Sequence, residues 1–241
     1  LVIVGDFLEL LRYPLDSIIA RRQTLLDRLA DMDTVYVPGN HDEDVIRLAG
    51  TVRPSHPLFA RISHAFVQRI GDRRFKFMHG HEVDPLANTC IQSLGRIIGR
   101  LAYLCEFRQG ACLLSNDAII GLLEETGEQL LHTSSWLRAG VDVALRESCG
   151  VLPAERMRFL TRRIRTRRML TRYYQDKAEG LYDMAIVGHT HKAGTFGDWY
   201  FNSGSWTGAG NNFLRISRGG DVGVFNWTDS GPQPNGTVIA P

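Results

Sequence analysis

Four short segments hold the residue types that bind metals and move protons: Gly5-Asp6, Gly39-Asn40-His41-Asp42, His79-Gly80-His81 and Gly188-His189-Thr190-His191. Each couples glycine with Asp, Asn or His. Glycine lets the backbone turn tightly and approach an ion. Carboxylate and amide oxygens mixed with imidazole nitrogens suit Mn, Fe, Co or Zn better than Ca or Cu(I). In an extended segment, residues two apart face the same side, so the spacing predicts that His189 and His191 reach one metal cluster. Taken singly, each segment also has a plain reading: Gly-Asp as a turn, Asn40 as a helix N-cap, the paired histidines as surface residues. Their combination is the signal. By average residue frequencies the two tetrads co-occur by chance in roughly one chain in a million of this length.

The elements around them read as an α/β core. Residues 1–4 form a β-branched apolar run, the pattern of a buried strand. About residues 17–31 read as a helix, with Ile18, Ile19, Leu25, Leu26 and Leu29 near a 3.6 period and arginines opposite. Val35-Tyr36-Val37 is the next strand, stopped by Pro38-Gly39. Residues 64–70 and 74–79 read as a hairpin around Gly71-Asp72. Strands resume at 184–187, 199–202, 213–217 and 222–227, the last pair joined by a Gly219-Gly220 turn. The β-α-β start points to an α/β fold, and each chemistry-bearing segment sits at the carboxyl end of a strand, where open α/β sheets collect ligands. Residues 228–241, rich in Gly and Pro, read as a loose tail.

Between about residues 90 and 180 strand patterns vanish, and the spacing predicts a helical insertion within a single domain. Its richest stretch runs from Arg156 to Arg172, with eight arginines. The 241-residue chain is otherwise ordinary: 44% hydrophobic, 22% charged, net charge +2. That excludes wholesale disorder, collagen-like repetition and a coiled coil. No apolar run approaches the ~18–20 residues that span a bilayer, and the opening residues carry no signal-peptide pattern. Cys90, Cys105, Cys112 and Cys149 form no CxxC pair and read as thiols of a reducing, cytoplasmic compartment.

With these residues in view, the chain resembles a calcineurin-like metallophosphoesterase over residues 1–89 and 181–206. Gly5-Asp6 resembles the second of that family's five blocks, Gly39-Asn40-His41-Asp42 the third, His79-Gly80 the fourth and Gly188-His189-Thr190-His191 the fifth. The resemblance implies two β-sheets packed face to face with helices outside. It implies two divalent metal ions, Mn first, with Fe, Zn or Co as alternatives. Asp6 would bridge them, Asn40, His79 and His189 would complete one site, and His191 would serve the other. The family's first block, an Asp-x-His some tens of residues before Gly5-Asp6, has no counterpart here, so the expectation is that this chain is a fragment of a longer enzyme. Two ions ~3.5–4 Å apart would hold a bridging hydroxide for in-line attack on phosphorus. His41, beside ligand Asn40, is expected to protonate the leaving oxygen or stabilise the transition-state charge, with Asp42 orienting its imidazole. His81 reads as substrate-facing or as a hydrogen-bonding support, and Asn202-Ser203-Gly204-Ser205-Trp206 resembles a loop closing such domains beside the site.

The helical insertion is similar to that of UDP-2,3-diacylglucosamine hydrolases, which cleave a pyrophosphate at the cytoplasmic membrane face. That implies a nucleotide-linked lipid substrate and peripheral contact of the Arg156 to Arg172 stretch with anionic inner-membrane lipid, each basic residue contributing ~1 kcal/mol. Many such hydrolases have arginine where this chain has His41, so another phosphodiesterase, phosphatase or nuclease of the same fold stays open, with nucleic acid as the weaker partner. The remaining alternative is a non-catalytic scaffold.

Overall fold

The β-branched runs of the sequence form short strands, and the 3.6-residue stripe forms a helix. The computed structural model describes residues 1–11, 13–51, 56–84, 154–207 and 210–239. In chain order these are β1 (Val2–Val4), α1 (Leu15–Asp31), β2 (Val35–Val37), α2 (Asp44–Thr51), β3 (Ala65–Ile70) and β4 (Arg73–Met78). Then follow α3 (Ala154–Ala178), β5 (Met184–Val187), β6 (Gly194–Phe196), β7 (Tyr200–Asn202), β8 (Asn212–Ile216), β9 (Val222–Thr228) and β10 (Gly231–Pro234). Single 3-10 turns cover Pro57–Arg61 and His81–Val83. The fold of the described residues is mixed α/β.

β1 and β2 pair in parallel, with Val4 opposite Val37. A five-stranded sheet has the order β3-β4-β5-β7-β6. Its centre, β4-β5-β7, is parallel, and hairpin partners close both edges antiparallel. All four residues of β5 are buried, as expected for a parallel strand covered on both faces. The third sheet is an antiparallel meander, β8-β9-β10. Parallel pairing brings the carboxyl ends of β1 and β2 together, and likewise those of β4 and β5.

One core cluster lies under the first two strands: Leu8, Leu26, Tyr36, Val45, Leu58 and Phe59, with Ile18, Ile19 and Leu29 of α1 against it. Leu25, expected in the stripe, stands at its edge and is 48% exposed. His56 ties two elements: its Nδ1 accepts from Leu58 N (3.2 Å), so Nε2 carries the proton shared with Asp27 (2.9 Å).

The chain divides into two compact units, Leu1–Val83 with Thr171–Ala240, and Asp84–Leu170. Most of the predicted insertion, its cysteines included, lies outside the described residues. Its end is α3, so the arginine-rich stretch is helical from Ala154 onward. The expected loose tail is corrected in part. Gly231–Pro234 forms β10, paired through Pro232↔Trp227 and Pro234↔Phe225. Thr228 Oγ1 donates to Gly231 O (2.9 Å) and closes the turn. The prolines that mark a loop in sequence are tolerated because β10 is an edge strand, where a missing N–H costs no ladder bond.

Candidate metal centre

Asp6 follows β1, Asn40 follows β2, His79 follows β4 and His189 follows β5. Two bonds draw these ends together: His79 Nδ1 donates to Val4 O (2.9 Å), and Gly188 N donates to His79 O (2.9 Å). The possible ligand atoms of Asp6, His79 and His189 all lie within 4.8 Å of one another. The rings of His79 and His189 meet edge-on, centroids 5.1 Å apart.

The bonding around His79 fixes its tautomer. A carbonyl only accepts, so Nδ1 carries the proton that Val4 receives. In the neutral ring Nε2 is then a lone pair, and it faces Asp6 Oδ2 at 3.0 Å without hydrogen-bond geometry. Two lone pairs at that distance call for a proton or a cation near them. Burial opposes charge on His79, yet the charge of Asp6 raises it above the usual histidine range. Burial would likewise raise Asp6, but His79 and His41 hold it far below the ordinary carboxylate range. Asn40 Oδ1 is buried and also without a hydrogen-bond partner. One carboxylate, one amide oxygen and two imidazoles form a donor set for a borderline divalent ion, so the residues present fit a metal.

The backbone bends to make this set. Asp6 (φ 53°), His189 (φ 65°) and His191 (φ 57°) occupy the left-handed region, a strain that clusters at functional sites. Thr190 N donates to Gly188 O (2.8 Å), an i to i+2 bond that makes His189 the centre of a strained γ-turn. The extended segment predicted for 188–191 is therefore corrected: the chain turns at His189, which joins the cluster, while His191 is exposed and outside it. Gly39 has the opposite constraint. A Cβ there would sit 2.2 Å from Asp6 Oδ1 and 2.7 Å from His79 Nε2, so the space beside the donors exists only because residue 39 has no side chain.

His41 N donates to Asp6 Oδ1 (2.9 Å), and its ring Nδ1 meets Glu9 Oε2 at 2.8 Å. Burial opposes charge on His41, but Asp6 and Glu9 push it up to about 9. The carboxylate that orients the ring is thus Glu9, which the sequence did not mark; 32 residues separate the pair, and no local pattern links them. Asp42, expected in that position, has its oxygens elsewhere. They accept from Phe7 N (2.8 Å), Leu8 N (3.0 Å), Gly39 N (2.5 Å) and the Tyr36 hydroxyl. Burial and the charge of Asp6 push Asp42 up to about 6.

Asn202 is fully buried. Its Nδ2 donates to Gly188 O (2.6 Å) and Thr190 Oγ1 (3.1 Å), and its Oδ1 accepts from Gly204 N (2.9 Å). Asn202 therefore supports the His189 turn. On α3, Arg165 grips buried Asp84 through Nε and Nη2, and Arg172 pairs with Asp176 at 3.5 Å. Arg167 and Arg168 are exposed. No helix among the described residues is long and apolar enough to cross a membrane. No protein-family model matches the chain, and no curated protein does.

Proposed function

We propose that the chain is a metal-dependent hydrolase of phosphoester or pyrophosphate bonds, built on a calcineurin-like two-sheet sandwich. The observation that carries this is the convergence of Asp6, His79 and His189 beside the unpaired oxygen of Asn40. Those four residues would hold one divalent ion, Mn first, with Asp6 and His191 serving a second. Bound there, such ions supply Lewis acidity to the phosphoryl oxygens and acidify the attacking water.

The chain's own residues do the rest. Glu9 holds His41 through Nδ1, which leaves Nε2 to carry the transferable proton. As water adds to phosphorus and the P–O bond to the leaving group breaks, that proton passes to the leaving oxygen. The Glu9 carboxylate, 2.8 Å from Nδ1, favours the charged imidazole that a general acid must be. Asp6 and Asn40 are bonded or adjacent to His41, so the acid sits at a fixed place relative to the ions. A phosphorylated small molecule or nucleotide-linked lipid suits this chemistry. The arginine-rich composition of α3 is what supports an anionic partner in this reading, at an inner-membrane face in a cytoplasmic protein.

The test is Mn-dependent release of UMP from a UDP-sugar lipid, set against a chromogenic phosphodiester, with bound metal counted on the same samples. His41→Ala is expected to lower kcat about 10²–10³-fold with metal content unchanged, and Glu9→Gln to lower it less. Hydrolysis that survives complete metal removal would overturn the proposal.

A further inference from the structure

Among the described residues three buried side-chain atoms have no hydrogen-bond partner: Asn40 Oδ1, His79 Nε2 and His81 Nδ1. Leaving a buried polar atom unpaired costs about 1–3 kcal/mol, and native proteins rarely tolerate it without a reason. All three lie in one neighbourhood, so one cause accounts for them best. Two already belong to the proposed donor set.

The third, His81, is only 6% exposed. Gly80, at φ 116°, reverses the chain into the 3-10 turn His81–Val83. The His81 ring thereby comes to 5.4 Å from that of His79 and 6.4 Å from that of His189, centroid to centroid. Its own neighbour does not satisfy it. Glu82 Oε2 stands 3.7 Å from Nδ1, beyond a hydrogen bond, and that oxygen accepts from Gly80 N at 2.7 Å. Nδ1 of this ring has given up water without gaining a hydrogen bond. Asn40 Oδ1 shows the same signature, and His79 Nε2 has the Asp6 carboxylate at 3.0 Å but no hydrogen bond; a cation would complete both. His81 stands beside the Asp6, His79 and His189 group rather than inside it, and His191, expected to serve a second ion, is exposed.

We propose that His81 is a further metal ligand of this centre, binding through Nδ1 a second divalent ion next to the one held by Asp6, Asn40, His79 and His189. The proposal rests on the metal centre argued above and adds a ligand to it.

The test uses the full chain stripped of metal and titrated with Mn²⁺ by calorimetry, with bound metal per chain counted after gel filtration. Wild type is expected to bind two ions. His81→Ala is expected to weaken the second by at least about ten-fold and to leave the first in place. His81→Asn, which keeps an oxygen near the Nδ1 position, is expected to recover part of the loss with an unchanged melting temperature. His189→Ala is expected to lose the first ion. Two ions bound at wild-type affinity by His81→Ala would overturn the ligand assignment alone. A wild type that binds one ion would do the same, and a wild type that binds none would overturn the metal centre with it.

Discussion

At the scale of single residues, the two carboxylates near His41 divide their work by position. Glu9 touches the imidazole. Asp42 gathers the backbone N–H groups of Phe7, Leu8 and Gly39 and the Tyr36 hydroxyl. It thereby joins the loop after β1 to the loop after β2, the two loops that present Asp6 and Asn40. Removing it strands several buried donors at once, each costing about 1–3 kcal/mol. Asp42→Ala is therefore expected to lower unfolding stability by at least about 3 kcal/mol, read from urea denaturation. A stable Asp42→Ala protein that has lost turnover would instead return Asp42 to a direct catalytic role.

At the scale of elements, β-branched runs bounded by glycine made most strands legible. Val35–Val37 and Met184–Val187 need only local preference and burial to form. The convergence of Asp6, His79 and His189 was legible for a related reason, since each follows an apolar strand and parallel pairing gathers those strand ends. What stayed hidden depends on contacts distant in sequence. β10 is masked by its prolines, which only an edge position permits. The turn at His189 is masked because its geometry comes from Asn202, whose amide holds Gly188 O on one side of His189 and Thr190 Oγ1 on the other. Asn202→Ala is expected to weaken metal binding by about ten-fold or more, as losses of supporting hydrogen bonds do. A titration with Mn²⁺ reads this directly. Unchanged affinity would show that the γ-turn holds itself.

At the scale of the whole molecule, the unit that carries the site is discontinuous: the chain leaves it after Val83 and returns at Thr171. The return is secured where β5 joins β4. Register there runs from Phe75↔Met184 to Phe77↔Ile186, and one residue before it Arg74 and Asp183 lock together. Asp183 N donates to Arg74 O (2.9 Å), Arg74 N donates to Asp183 Oδ2 (2.7 Å), and the guanidinium reaches both carboxylate oxygens and Gly180 O. The hydrogen bonds from Arg74 hold the Asp183 carboxyl below the ordinary carboxylate range. A carboxyl lowered on folding contributes stability above its unfolded value of about 3.9 and loses that contribution as pH falls through its folded value. Protonated Asp183 is nearly isosteric with asparagine. Wild type is therefore expected to be slightly more stable than Asp183→Asn from pH 7 down to about pH 5, with the two curves converging below about pH 4. Because the pair is exposed, added salt should narrow the gap at pH 7. Urea midpoints measured against pH for both proteins decide it: a gap that persists unchanged at low pH would mean that Asp183 secures the β4–β5 junction by shape rather than by charge.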